Sequence, residues 1–126
     1  MINDINDMLK YFNREEFACQ YTGNNKIDDQ FLTKLDHLRY VCGFPFIITS
    51  GYRDPSHPIE AKKKVAGTHA QGIACDIRVE NGQQRYDIVK HATAMGFNGI
   101  GVANSFVHVD IRKLDVGESP VMWCYN

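Results

Sequence analysis

The chain predicts an α+β domain, a small and mainly antiparallel sheet packed by helices, and three observations carry that expectation. Apolar residues recur at helical spacing through Phe31, Leu32, Leu35, Leu38, Val41 and Cys42. Apolar and polar residues alternate from Ile73 to Val79, and two short apolar runs flank Ala103-Asn104-Ser105. Helix, strand, long loop, strand, helix and hairpin follow in that order, the pattern of such a domain. With 126 residues and no repeat, linker or low-complexity tract, the chain suits one domain over 1–126 with a real hydrophobic core.

Each element has a local reason. Ile5, Met8, Leu9 and Phe12 fit a short amphipathic helix, or an irregular segment laid over the core, between Ile5 and Phe17. Asp28 is suited to cap a helix over Asp29 to Cys42, which Gly43 stops. Pro45 to Thr49 is short and β-branched and reads as a buried strand delivering Ser50-Gly51-Tyr52-Arg53 to its end. Asp54 to Gly72 is a polar loop punctuated by Pro and Gly, the natural wall of a cleft. In the next strand Ile73, Cys75, Ile77 and Val79 point one way and Ala74, Asp76 and Arg78 the other. Gln83 to Met95 predicts a helix burying Tyr86, Val89 and Ala92, stopped by Gly96. Gly99 to Val102 and Phe106 to Ile111 predict a hairpin, and Val121 to Tyr125 a closing strand.

The formal net charge is −1, and basic residues are scattered apart from Lys62-Lys63-Lys64. The electrostatic footprint of a nucleic-acid binder is missing, so no nucleic-acid partner is expected and the lysine triplet reads as a solvated loop. The four cysteines, Cys19, Cys42, Cys75 and Cys124, form no CxxC pair, which argues against a zinc ribbon or a thioredoxin-like motif and for free buried thiols. Met1-Ile-Asn-Asp-Ile-Asn-Asp opens acidic, without the apolar run of a signal peptide, and no stretch reaches bilayer-spanning length. The expectation is a soluble chain made in the cytosol, with no membrane partner and a monomeric state.

His69, Asp76 and His108 are the candidate metal ligands. Two imidazoles and one carboxylate leave a fourth tetrahedral position open, the arrangement of a catalytic zinc. Gly67, Gly72 and the alternating pattern place His69 on the loop entering a strand and Asp76 within it, so both can turn to one cleft. Phe106, His108 and Asp110 share one face of their strand, and Val107, Val109 and Ile111 form the apolar other face. Of the remaining histidines, His37 and His91 fall on predicted helices as ordinary surface or core residues, and His57 reads as exposed. Arg53, at the exit of a buried strand, is placed either to stabilise an oxyanion or to pin its loop by hydrogen bonds. Ser50 and Tyr52 are candidates for binding substrate, although Ser50 has no adjacent base and Tyr52 is equally suited to packing.

Together, Ser-Gly-Tyr-Arg at 50–53, the H-x-x-G-x-A-x-D run from His69 to Asp76, and His108-Val109-Asp110 resemble the zinc D-Ala-D-Ala carboxypeptidase and peptidoglycan L-alanyl-D-glutamate endopeptidase family (peptidase M15), which includes phage endolysins. Glu16-Phe17-Ala18-Cys19 and Trp123-Cys124-Tyr125 extend the likeness over nearly the whole chain. The resemblance implies the hedgehog/DD-peptidase fold, Zn2+ bound by His69, Asp76 and His108, and an Arg53 that binds substrate and stabilises the oxyanion. It also implies cleavage beside D-amino acids in peptidoglycan stem or cross-link peptides.

One position departs from that pattern. Several relatives place a Glu or a His a few residues before the last zinc ligand as general base, whereas Val102 to Val107 read Val-Ala-Asn-Ser-Phe-Val. Asp110 is the candidate replacement, since two residues along a strand span about 6 to 7 Å and its carboxylate can lean toward the metal. The alternative is that Asp110 orients a ligand. The leading expectation is thus a zinc peptidase of a phage or prophage, reaching the wall after holin-type release or as a virion component. A non-catalytic zinc-containing module that binds peptidoglycan, and an intracellular D-Ala-D-Ala dipeptidase, are the competing readings.

Overall fold

The computed structural model describes residues 4–125; Met1–Asn3, part of the acidic start read above, and Asn126 lie outside the described residues. The expected amphipathic stretch over 5–17 divides in two. A single turn of helix, α1 (Ile5–Met8), is capped by the Asp4 side chain, and a 3-10 helix follows at Arg14–Phe17. Between them Phe12 enters the core, and Phe17 closes it at the far end.

Asp28 starts the longest helix by accepting the Phe31 N–H at 2.9 Å, satisfying one of the donors that a helix N-terminus leaves open. Helix α2 (Asp29–Cys42) then ends at Gly43, whose φ of 79° is the left-handed conformation glycine adopts without strain. Phe31, Leu32, Leu35 and Leu38 are fully buried, whereas Val41 is exposed at the last turn.

Strand β1 (Ile48–Ser50) begins later than Pro45, because Phe46 goes into the core and Pro45 has no N–H for a ladder. Strands β2 (Ala74–Arg78), β3 (Gly99–Val102), β4 (Phe106–Asp110) and β5 (Val121–Cys124) complete a sheet of order β1-β2-β4-β3-β5. Three pairings are antiparallel and one, β3 with β5, is parallel. The fold is α+β, as expected. Cys75, Ile77, Val107, Val109 and Ile100 cover the helix-facing side and merge with the apolar faces of α2 and α3 into one core.

Helix α3 (Gly82–Ala94) corrects the predicted stripe. Ile88 and Ala92, one turn apart, are buried, while Tyr86 lies two positions before Ile88, on the opposite side, and is exposed. Val89 is only partly covered. The cysteines are unpaired as expected, but only Cys19 and Cys75 are buried; Cys124 is exposed because β5 is an edge strand with little over its outer surface. No helix among the described residues is long and apolar enough to cross a membrane.

Candidate metal centre

The sheet register assembles the site. Ser50, Asp76, His108, Gly101 and Trp123 are successive cross-strand neighbours on β1, β2, β4, β3 and β5, a single row across the sheet. Alternation sends the intervening core residues to the helices and this row to the opposite face. His69 comes from the turn before β2, which Gly72 closes at φ 76° because the Lys26 carbonyl fills the space a side chain would need.

Three donor atoms converge there. His69 Nε2 and His108 Nδ1 are 3.2 Å apart, and Asp76 Oδ1 is 3.3 Å from the first and 3.1 Å from the second. Tetrahedral coordination with bonds of about 2.0 to 2.1 Å places ligand atoms about 3.3 to 3.4 Å apart, close to this triangle. All three residues are buried, and together they form a group able to hold a metal ion.

The outer ring nitrogens explain why the inner ones are available. His69 Nδ1 faces the Gly51 carbonyl at 2.8 Å, so it must carry a proton, leaving Nε2 with its lone pair inward. His108 Nε2 faces Asp110 Oδ2 at 2.7 Å, which fixes the complementary tautomer and turns Nδ1 inward. Two lone pairs and a carboxylate oxygen pointing at one spot call for a cation, and the donor set fits a divalent metal such as zinc. In the metal-free protein a proton serves instead. Burial opposes the His108 imidazolium, but the bonds to Asp110 and Asp76 outweigh it and raise its pKa above the ordinary histidine value. Burial likewise opposes the Asp76 carboxylate, and the neighbouring His108 and His69 rings reverse that and hold it well below the usual range.

Ser-Gly-Tyr-Arg reaches the site through its backbone as much as its side chains. The Gly51 carbonyl orients His69, and the Arg53 N–H donates to the His69 carbonyl at 3.2 Å. A Cβ on Gly51 would lie 2.6 Å from the Phe17 carbonyl oxygen, so glycine is needed where the Phe17 backbone crosses. Arg53 Nε donates to Ser50 Oγ at 3.2 Å, and its two amino groups stand 3.8 Å from Glu60 and 3.7 Å from Asp76 Oδ2. Glu60, which sequence reasoning missed, is buried and held low in pKa against the cost of burial by Lys63, the Gly67 N–H and Arg53.

Two expectations need correction. Tyr52 is buried, with its N–H bonded to Phe17, so it packs under the site and does not face substrate. Asp110 does not lean toward the metal. It is fully buried on the far side of His108, and both its oxygens are engaged: Oδ1 accepts from the Arg112 N–H at 3.0 Å and from Nε at 2.9 Å, and Oδ2 from Nη2 at 2.7 Å. Burial opposes its charge, but His108 and Arg112 hold its carboxyl well below the usual range. Arg112 was also missed, although a cation two residues beyond an aspartate at the end of a strand is a readable sign. His57 is half-buried against Tyr21 and outside the site; His37 is exposed.

The triad floors a cleft of about 620 Å³ lined also by Arg53, Lys63, Phe106, Arg112, Trp123 and Tyr125. An inward-facing His-Asp-His set with one side open to a groove is the donor arrangement of a metallohydrolase. The comparison with known families agrees: the family described as Peptidase M15 matches residues 10–110, and the chain belongs to that family of metallopeptidases. No curated protein matches it.

Proposed function

We propose that this protein is a zinc-dependent peptidase that hydrolyses bonds beside D-amino acids in bacterial peptidoglycan. The observation that carries the reading is the convergence of His69 Nε2, Asp76 Oδ1 and His108 Nδ1, within 3.3 Å of one another, under a cleft that also presents the Arg53 guanidinium. Zinc held by these residues supplies a Lewis acid for the scissile carbonyl and lowers the pKa of water toward neutrality.

The chain's own groups then bind and orient. The terminal amino groups of Arg53 make no hydrogen bond among the described residues, while Ser50 steadies the stem through Nε. At 3.8 Å from Glu60 and 3.7 Å from Asp76 Oδ2, that fork keeps donors for a substrate carboxylate or for the carbonyl oxygen as charge develops on it. Lys63 and Arg112 add positive charge along the cleft, suiting peptides that end in free carboxylates, as wall stem peptides do. Asp110 acts as a positioning residue that fixes the His108 ring. The family resemblance supports a lysin of phage or prophage origin, acting on the wall as a monomer after release or from the virion.

Digestion of purified peptidoglycan followed by mass spectrometry tests this, with zinc and with a chelator. New peptide termini that appear only with zinc are expected, and they name the bond. One observation favours a second reading: among the described residues no carboxylate other than Asp76 lines the cleft, so no obvious general base faces the metal. A binding module would retain muropeptides on the zinc-loaded protein and release no fragments.

A further inference from the structure

Trp123 and Tyr125 lie beyond the segment that matches the family, and no step proposed so far uses them. The sheet nevertheless brings both to the metal centre. Gly101 faces His108 on one side and Trp123 on the other. A Cβ on Gly101 would lie 2.6 Å from Trp123 Nε1 and 2.7 Å from Tyr125 Cε2, so the polar edges of both rings fold back over the bare glycine. The Trp123 ring ends 5.2 Å from that of His108. Tyr125 is pinned by its N–H to the Val102 carbonyl at 2.9 Å and packs its ring 5.1 Å from Phe106, yet it lines the cleft and keeps 43% of its surface exposed.

The groups around the triad narrow what Tyr125 can do. Among the described residues, the titratable side chains lining the cleft besides the metal ligands are Arg53, Lys63, Arg112 and Tyr125. The first three are cations at neutral pH. Tyr125 alone is neutral, with a hydroxyl able to donate and accept through one atom. We propose that Tyr125 is a catalytic residue of this site, its hydroxyl donating a hydrogen bond to the scissile carbonyl oxygen as that oxygen becomes negative, in the cleft it lines together with Arg53. The assignment rests on the hydrolase reading above. Burial pushes the phenol above its ordinary pKa, with Asp76 and Asp110 adding to the rise and Trp123 and Arg53 opposing it, so the proton to be donated stays in place. A neutral donor needs no counterion and is set by the fold before substrate arrives, which is what makes such a bond effective.

Tyr125→Phe tests this on the zinc-loaded protein, with the muropeptide that the wild type cuts and a phosphinate isostere of the same bond. The expected result is a loss of about 100-fold in kcat with KM nearly unchanged. Affinity for the phosphinate, measured by calorimetry, should fall by a similar factor, while zinc affinity and affinity for the cleaved product stay as in the wild type. A variant matching the wild type in kcat and phosphinate affinity overturns the assignment alone. A variant that loses zinc affinity or product binding equally overturns it as well, because Tyr125 then acts on the structure of the site. A wild type that neither cuts peptidoglycan peptides nor binds the phosphinate overturns the hydrolase reading and this assignment with it.

Discussion

Asp110 accepts the Nε2 proton of His108 at 2.7 Å, and that bond decides which imidazole nitrogen faces Asp76. Arg112 holds the carboxylate from behind with its backbone N–H and its guanidinium. The metal site is therefore braced through an ion pair, its carboxylate fully buried and its guanidinium partly exposed, that lies outside the three donor atoms.

Asp110→Asn keeps the shape and removes the charge, so zinc should bind about 10- to 100-fold more weakly. Competition against a chromophoric chelator measures this. Unchanged zinc affinity with turnover abolished would instead return Asp110 to the role of base.

Metal-free stability and the stabilisation that zinc adds should respond to pH in opposite directions. In the metal-free protein His108 has a raised pKa, so its contribution to stability is fully present below the unfolded value of about 6.5 and is lost as pH rises through the folded value. Asp76 and Asp110 are depressed, so theirs is present above about 3.9 and lost as pH falls through their folded values. Metal-free melting temperature should drop as pH rises above the unfolded histidine value of about 6.5 and through the raised folded one. The stabilisation added by zinc should grow over the same interval, because metal must displace the His108 proton. Thermal melts with and without zinc check both slopes.

Gly99→Ala should disturb the brace. Its Cβ would meet the fully buried Asp110 carboxylate, 2.5 Å from Oδ1, and the Arg112 Nε at 2.6 Å, so the ion pair behind His108 must shift. A loss of about 1 to 3 kcal/mol in urea denaturation is expected. Weaker zinc binding should accompany it.

Arg53→Ala should lower kcat/KM by about 100-fold while zinc content stays at the wild-type level. Arg53→Lys should recover only part of this, since an ammonium restores charge without the two-pronged fork or the Nε bond to Ser50. Steady-state kinetics beside metal analysis separates the two effects.

Much of this geometry is written in local pattern. The caps of α2 and the alternation of β2 and β4 are short-range signals, and they put Asp76 and His108 on one face and the valines on the other. What local pattern cannot carry is the choice of histidine nitrogen, because the Gly51 carbonyl that orients His69 lies 18 residues away in sequence. Whether Tyr52 binds substrate or packs is open in the sequence, and the Phe17 backbone that accepts its N–H lies far from it in the chain. Gly99 and Gly101 look like ordinary strand glycines, and only the parallel pairing of β5 beside β3 shows that Trp123 and Tyr125 occupy the space over Gly101. The stripe on α3 was misphased because Tyr86 and Ile88 are both apolar enough to be buried, and tertiary contact chose Ile88.

X-ray absorption at the zinc edge of the loaded protein asks whether His69, Asp76 and His108 hold an open centre. One zinc per chain is expected, in a shell of nitrogen and oxygen at about 2.0 to 2.1 Å with the scattering of two imidazoles. Sulfur at about 2.3 Å, or stoichiometric zinc that persists in a His69→Ala, His108→Ala double variant, would contradict it.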